Sequence, residues 1–165
     1  MIFEIRMICG EDDDFIRDYE VPYHTTLLEF DTFICKDLGY DEMHMSSFFA
    51  SNERWEQEQE FTLMDMGEGG PIPMEKATLG QLLHQNNDRL IYVFDTFSER
   101  VMFLELMGAG KGKENTSYPR VSFSQGEPPA QFDFKLDDNT DEAIFEEAMD
   151  DYFDFGGDDF YDDDF

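Results

Sequence analysis

Two apolar runs stand close together in the chain, Arg89-Leu90-Ile91-Tyr92-Val93-Phe94-Asp95 and Val101-Met102-Phe103-Leu104-Glu105-Leu106-Met107, with Thr96 to Arg100 between them. Each is short and rich in β-branched and aromatic residues, so both read as strands, and the short link makes them a hairpin. Both faces of these strands are apolar, which suits the centre of a sheet covered on each side. The rest of the chain must supply that cover. This demand limits the possible architectures more than any other feature.

The flanking segments meet it with a mixture of strands and helices. In Ile2 to Cys9, Phe3, Ile5, Met7 and Cys9 share one face while Glu4 and Arg6 take the other. In Phe15 to Val21, Phe15, Tyr19 and Val21 lie opposite Asp18 and Glu20. Period-two alternation marks half-buried strands, and the polar Gly10 to Asp14 between them predicts a turn. Pro22 ends the second strand because it has no N–H to donate. Thr26 with Glu29 forms a capping box, Leu27, Phe30, Ile34 and Leu38 recur at helical spacing, and Gly39 suits the left-handed position after the helix. Strands are expected around Ser46 to Ser51 and Glu60 to Met64, a Gly/Pro loop over Gly67 to Pro73, and a further strand over Tyr118 to Ser124. Thr78 to Gln81 is a second capping box that opens a short helix with Leu79, Leu82 and Leu83 facing inward. A hairpin, a helix laid across a mixed sheet and then more strands follow the order of β-grasp folds. The expected class is therefore α+β and β-grasp-like, over residues 1 to 136.

Charge separates that body from the C-terminal tail. The 165 residues hold 40 Asp plus Glu against 11 Lys plus Arg, a formal charge of −29. Residues 137 to 165 contain 14 of the acids and no Lys or Arg, so they carry −14 and residues 1 to 136 carry −15. This surplus argues against binding nucleic-acid phosphates or an anionic membrane, since both require Lys and Arg. It fits a basic protein partner. The acidic tail is also aromatic, with 7 such residues among its 29, which sets it apart from an inert solvated bristle. Ile144, Phe145, Ala148, Met149 and Tyr152 form an apolar stripe opposite Glu142, Glu146, Glu147, Asp150 and Asp151. Repulsion among those acids predicts a marginal helix or disorder until a partner covers the stripe. Phe145, Met149, Tyr152, Phe153 and Phe155 are the expected anchors.

The first residues read as a strand rather than a leader, and the longest wholly apolar run, Leu90 to Phe94, is far below bilayer length. Cys9 and Cys35 are the only cysteines and have no C-x-x-C spacing. Free thiols in a cytoplasmic protein are the economical reading, and a Cys9–Cys35 bridge stays open.

Several short motifs together resemble the plasmid pRiA4b ORF-3-like family, a group associated with mobile elements, over about residues 1 to 131. Val21-Pro22 followed by Thr26-Leu27 is similar to the family's V-P-x-x-x-T-L entry to its first helix. Gly39-Tyr40 stands where the family has Gly-Trp, and His44-Met45-Ser46-Ser47-Phe48 matches its H-L-H-x-F with the second histidine replaced. Tyr92-Val93-Phe94-Asp95 matches Y-x-Y-D at the start of the signature hairpin, whose later Gly, Asp, Trp and His are all replaced in Thr96 to Leu106. Tyr118-Pro119-Arg120 and Gly126-Glu127-Pro128-Pro129 resemble its Y-P-R and G-A-C-P-P pieces, without the cysteine. With Ser47-Phe48-Phe49, Glu99-Arg100 and the acidic tail, the chain resembles the branch of the family found in Bacteroides-type bacteria. The resemblance implies a compact α+β domain and no defined activity.

No constellation in the sequence identifies a reaction. His24, His44 and His84 are far apart, with no H-x-x-x-H or Cys/His pair, so no metal is expected; His44 is singled out only by the family match. Asp137 to Glu142 starts like an EF-hand loop and lacks its glycine. Gly108 to Lys113 departs from a Walker loop at its first glycine and its Ser/Thr position, so a flexible loop is expected there. Asp95 with Glu99 and Arg100 reads either as a pocket on the hairpin or as a turn salt bridge, and Trp55 either as a contact residue or as a half-buried loop residue. Two classes of function remain. The first is a non-enzymatic interaction module whose acidic tail engages a basic partner, with mimicry of a nucleic-acid surface as a variant and with no cofactor. The second is a small-molecule site or enzyme near the 92–106 hairpin, with His44, Tyr92, Asp95 and Arg100 as the candidate pocket. An accessory role in a mobile element is implied by the family alone.

Overall fold

The opening alternation folds into two antiparallel strands, β1 (Ile2–Cys9) and β2 (Ile16–Pro22), with Ile5 opposite Tyr19 and Arg6 opposite Asp18. On their solvent side the Arg6 guanidinium donates to both Asp18 carboxylate oxygens, at 2.8 and 2.9 Å. These and the other elements come from a computed structural model that describes residues 1–132, of which Met1–Gln131 form one compact unit. The anchors Phe145, Met149, Tyr152, Phe153 and Phe155, and the helix expected over 140–153, lie outside the described residues.

Helix α1 (Leu27–Leu38) begins and ends where its punctuation places it. The Thr26 hydroxyl accepts the Glu29 N–H at 3.1 Å and the Glu29 carboxylate accepts the Thr26 N–H at 3.1 Å. Gly39 closes the helix with φ 73°, a left-handed conformation that costs glycine little. The next strands are β3 (Ser47–Ser51), β4 (Gln57–Thr62) and β5 (Ile72–Pro73). A 3-10 turn, Met74–Lys76, leads to the short helix α2 (Leu79–Leu82), opened by the Thr78/Gln81 capping box. Leu79 and Leu83 are buried and Leu82 is half-buried. The hairpin strands are β6 (Arg89–Asp95) and β7 (Arg100–Gly110), and β8 (Arg120–Gln125) completes the set.

Three local expectations are corrected. The strand expected over Glu60 to Met64 starts earlier, at Gln57, and stops at Thr62. Pairing with Phe61 and Thr62 turns the end of the Gly67 to Pro73 segment into the parallel strand β5. Gly108 to Gly110, expected as loop, extends β7, because Ile2, Phe3 and Glu4 of β1 need partners there.

All eight strands form a single mixed sheet in the order β5-β4-β3-β6-β7-β1-β2-β8, with only β4 and β5 parallel. The fold class is α+β. Helix α1 supplies the main core: Phe30 stacks on Phe48 at 5.9 Å, and Phe48 meets Tyr92 at 4.8 Å. Leu27, Phe30, Ile34 and Leu38 are buried with Phe3, Ile5, Met7, Leu90, Phe94 and Leu104. Each such side chain is worth about 1.5–3 kcal/mol of transfer free energy when fully buried. On the opposite face Ile91 and Val93 are also buried, so β6 is covered on both sides as its sequence requires, whereas β7 alternates between buried and half-buried residues.

Candidate functional site

Three settings gather the polar and aromatic side chains with chemical capacity. The first lies between α1 and the sheet. Asp31 follows Leu27 by four residues and precedes Cys35 by four, so helical geometry puts it on the buried face. One of its oxygens, Oδ1, accepts hydrogen bonds from the Tyr92 hydroxyl at 2.6 Å and the Ser46 hydroxyl at 2.9 Å, with the Cys35 thiol at 3.9 Å. Asp31, Ser46, Cys35 and Tyr92 are all buried. Burial pushes the Asp31 carboxyl above its ordinary range, and the hydrogen bonds from Tyr92 and Ser46 oppose that shift. Burial likewise pushes the Cys35 thiol up to about 12. A thiol held protonated is a poor nucleophile. The cluster ties helix to sheet and presents no reactive group to solvent.

The second setting surrounds Arg100. Its guanidinium donates to both carboxylate oxygens of Glu11, at 2.6 and 2.9 Å, and to the Asp95 carboxylate at 3.4 Å. It also donates to the carbonyls of Ala130 and Gln131, at 2.9 and 3.2 Å, and lies over the Phe94 ring at 4.8 Å. Asp95 and Arg100 are opposite one another in the hairpin. The hydrogen bonds from Arg100 hold the Glu11 carboxyl below its usual range. With its N–H groups committed in this way, Arg100 clamps the β1–β2 turn, the hairpin and the segment after β8.

The four candidate pocket residues therefore occupy different settings. Asp95 and Arg100 pair, while Tyr92 turns to Asp31 under the helix. His44, half-buried, rests with its ring 6.4 Å from that of Phe97 on the hairpin turn. His24 and His84 are exposed. Cys9 and Cys35 are both buried and both free, so no bridge joins them. Among the described residues no group of three His, Cys, Asp or Glu side chains is placed to share a metal ion.

The third setting is a cleft of about 460 Å³ on the sheet face away from α1. Phe49, Trp55 and Phe103 form aromatic walls, Ile91, Val93 and Val101 an apolar floor, and Glu60 and Glu99 a polar rim. The loop that carries Trp55 is tied by Asn52, whose side-chain oxygen accepts the N–H groups of Arg54 at 2.8 Å and Glu56 at 3.1 Å. Arg89 holds the tryptophan in place: its guanidinium lies 4.4 Å from the ring centroid, donates to the Glu53 carbonyl and pairs with Glu105 at 3.5 Å. Phe103 meets the same ring edge-on at 4.9 Å. Trp55 and Glu99 both have positive φ, 60° and 53°. The pairing register slips beside each of them, between Phe49 and Ser51 and between Val93 and Asp95. Backbone strain and bulges of this kind collect where a fold aims particular side chains.

The sequence did not point to Asp31, and of this cleft it offered only Trp55 and Glu99 and not the walls from β3, β4 and β6. The signal for Asp31 was its place in the apolar stripe of α1. For the β6 wall of the cleft the signal was the apolar face of Ile91 and Val93.

An eight-stranded mixed sheet with one long helix on a face, a clamped hairpin and an aromatic cleft define a class, that of small α+β domains built on a single sheet. The model of the plasmid pRiA4b ORF-3-like protein family matches residues 3–133, and the chain belongs to that family. Among solved structures, the chain is similar to a protein of unknown function, MM3350, from Methanosarcina mazei Go1. The TM-score is 0.64 at 17% identity, over 74% of this chain and 68% of the other; at that identity the likeness concerns the fold. No curated protein matches.

Proposed function

We propose that this chain is a non-enzymatic interaction module for a basic protein partner, engaged by its acidic, aromatic C-terminal tail. The observation that supports the reading is how its charge is distributed. Five of its arginines, Arg6, Arg17, Arg89, Arg100 and Arg120, are held in ion pairs with the protein's own acids. With these cations committed within the fold, the net charge of −29 presents a surplus of carboxylates, a field that steers cationic partners toward the molecule and repels polyanions. Phe145, Met149, Tyr152, Phe153 and Phe155 are the proposed anchors, and the tail's acids set the encounter rate. The body we read as β-grasp-like, on the order hairpin, helix, then strands.

The test is fluorescence anisotropy with the full chain and labelled decalysine, decaglutamate and duplex DNA. Binding to decalysine alone, weakening as salt rises and weakened again in a Phe145→Ala, Met149→Ala, Tyr152→Ala variant, is the expected result. Equal affinity for both peptides would refute the reading, and so would indifference to the triple substitution.

A further inference from the structure

We propose that the cleft between Trp55 and the hairpin turn receives a lysine or arginine side chain from a basic segment of a protein partner. The inference rests on the reading of the chain as a partner for basic proteins, and it places a second contact on the folded body. Its volume of about 460 Å³ lies within the roughly 300–1,000 Å³ of ordinary binding clefts.

Chemistry selects the occupant. Phe49, Trp55 and Phe103 line the cleft, and aromatic faces attract cations through their quadrupoles. Glu60, half-buried on β4, and Glu99, on the hairpin turn, add two carboxylates, and no Lys or Arg is among the lining residues. Neither acid has an ion-pair partner among the described residues. Arg89 demonstrates the affinity of this tryptophan for a guanidinium, yet it is bound to Glu105 and the Glu53 carbonyl and does not line the cleft. A long basic side chain meets both demands at once, with its methylene stem along the apolar floor and its charged head at the carboxylates. An anionic ligand meets none of them.

Trp55 is the single tryptophan of the chain, so its emission reports this cleft alone. The full chain is titrated with a five-residue peptide bearing one central lysine, with its arginine and norleucine counterparts, and with n-butylammonium. A saturable change in Trp55 emission with the lysine and arginine peptides, absent with norleucine, is expected. A Glu60→Gln, Glu99→Gln variant should bind them about tenfold more weakly. If the double variant fails to fold, the lysine-versus-norleucine contrast in the wild-type chain decides. Basic peptides that bind by anisotropy without altering Trp55 emission would overturn the cleft assignment and leave the basic-partner reading standing. Failure of any basic peptide to bind would remove both. Binding of n-butylammonium as tight as that of the peptide would assign the cleft to small amines instead.

Discussion

Asp31 is the one carboxylate placed within the apolar stripe of α1, and its energetics follow from the balance of burial against hydrogen bonding. Removing it from water favours the protonated form, so its folded-state value lies above the ordinary 3.8. A group raised in this way lends stability that is complete below its unfolded value and is lost as pH climbs through the folded one. Asp31→Asn keeps an oxygen to accept from Tyr92 and Ser46 but has no proton to lose. The wild-type chain should therefore hold its largest advantage over Asp31→Asn near pH 4 and surrender it progressively toward neutrality. Urea midpoints of both proteins at several pH values between about 4 and 7 measure this directly. An advantage that grows with pH would mean that the hydrogen bonds outweigh burial and that the carboxylate is the preferred form.

At the scale of elements, the two helix starts support one another. Thr26 and Thr78 face each other in an isolated bridge, the Leu27 N–H donates to the Ala77 carbonyl, and the Leu79 N–H donates to the Thr25 carbonyl, both at 2.9 Å. Gly80 lies in this junction, its N–H 2.8 Å from the Tyr23 carbonyl. A Cβ there would come within 2.8 Å of the Tyr23 ring and 3.0 Å of its carbonyl oxygen. Gly80→Ala should cost about 1–3 kcal/mol, seen as a lowered Tm, whereas Gly110→Ala, with open space around it, should be near neutral. A tolerant Gly80→Ala would show that the junction yields. The same contrast between local and remote causes explains which elements could be placed from sequence. Capping by Thr26, closure at Gly39 and the alternation of β1 are decided by neighbours in sequence, and they could be placed in advance. The strand β4 could not, since Gln57 to Glu60 is a polar edge run with weak strand preference that β3 recruits. Gly108 to Gly110 likewise becomes strand because β1 extends alongside. The clamp at Arg100 and the walls around Trp55 join residues distant in sequence, so only the hairpin portion of each was visible.

For the whole molecule, the question is where the folding unit ends. The last described residues do not trail away from the body. The Tyr40 hydroxyl donates to the Pro129 carbonyl at 2.6 Å, and Gln131 exchanges hydrogen bonds with the backbone of Asp41 at 2.7 and 3.0 Å. Arg100 takes the Ala130 and Gln131 carbonyls into its clamp. Every strand and helix described, and both capping boxes, precede residue 132. A protein ending at residue 136 keeps all of these and sheds the −14 of the acidic tail, whose self-repulsion favours no compact state. It should unfold in one cooperative transition. A protein ending at residue 127 takes away the Pro129 carbonyl that the buried Tyr40 hydroxyl donates to, a loss worth about 1–3 kcal/mol, and two of the carbonyls that Arg100 holds besides Glu11 and Asp95. Its Tm should fall below that of the 1–136 protein, by roughly 3–5 °C for each kcal/mol at these chain lengths. Calorimetry on the two truncations and the full chain supplies the comparison. Equal Tm values for the two truncations would show that the segment after β8 contributes nothing to the fold. A 1–136 protein with no transition, beside a full chain that has one, would show that the acidic tail belongs to the folding unit.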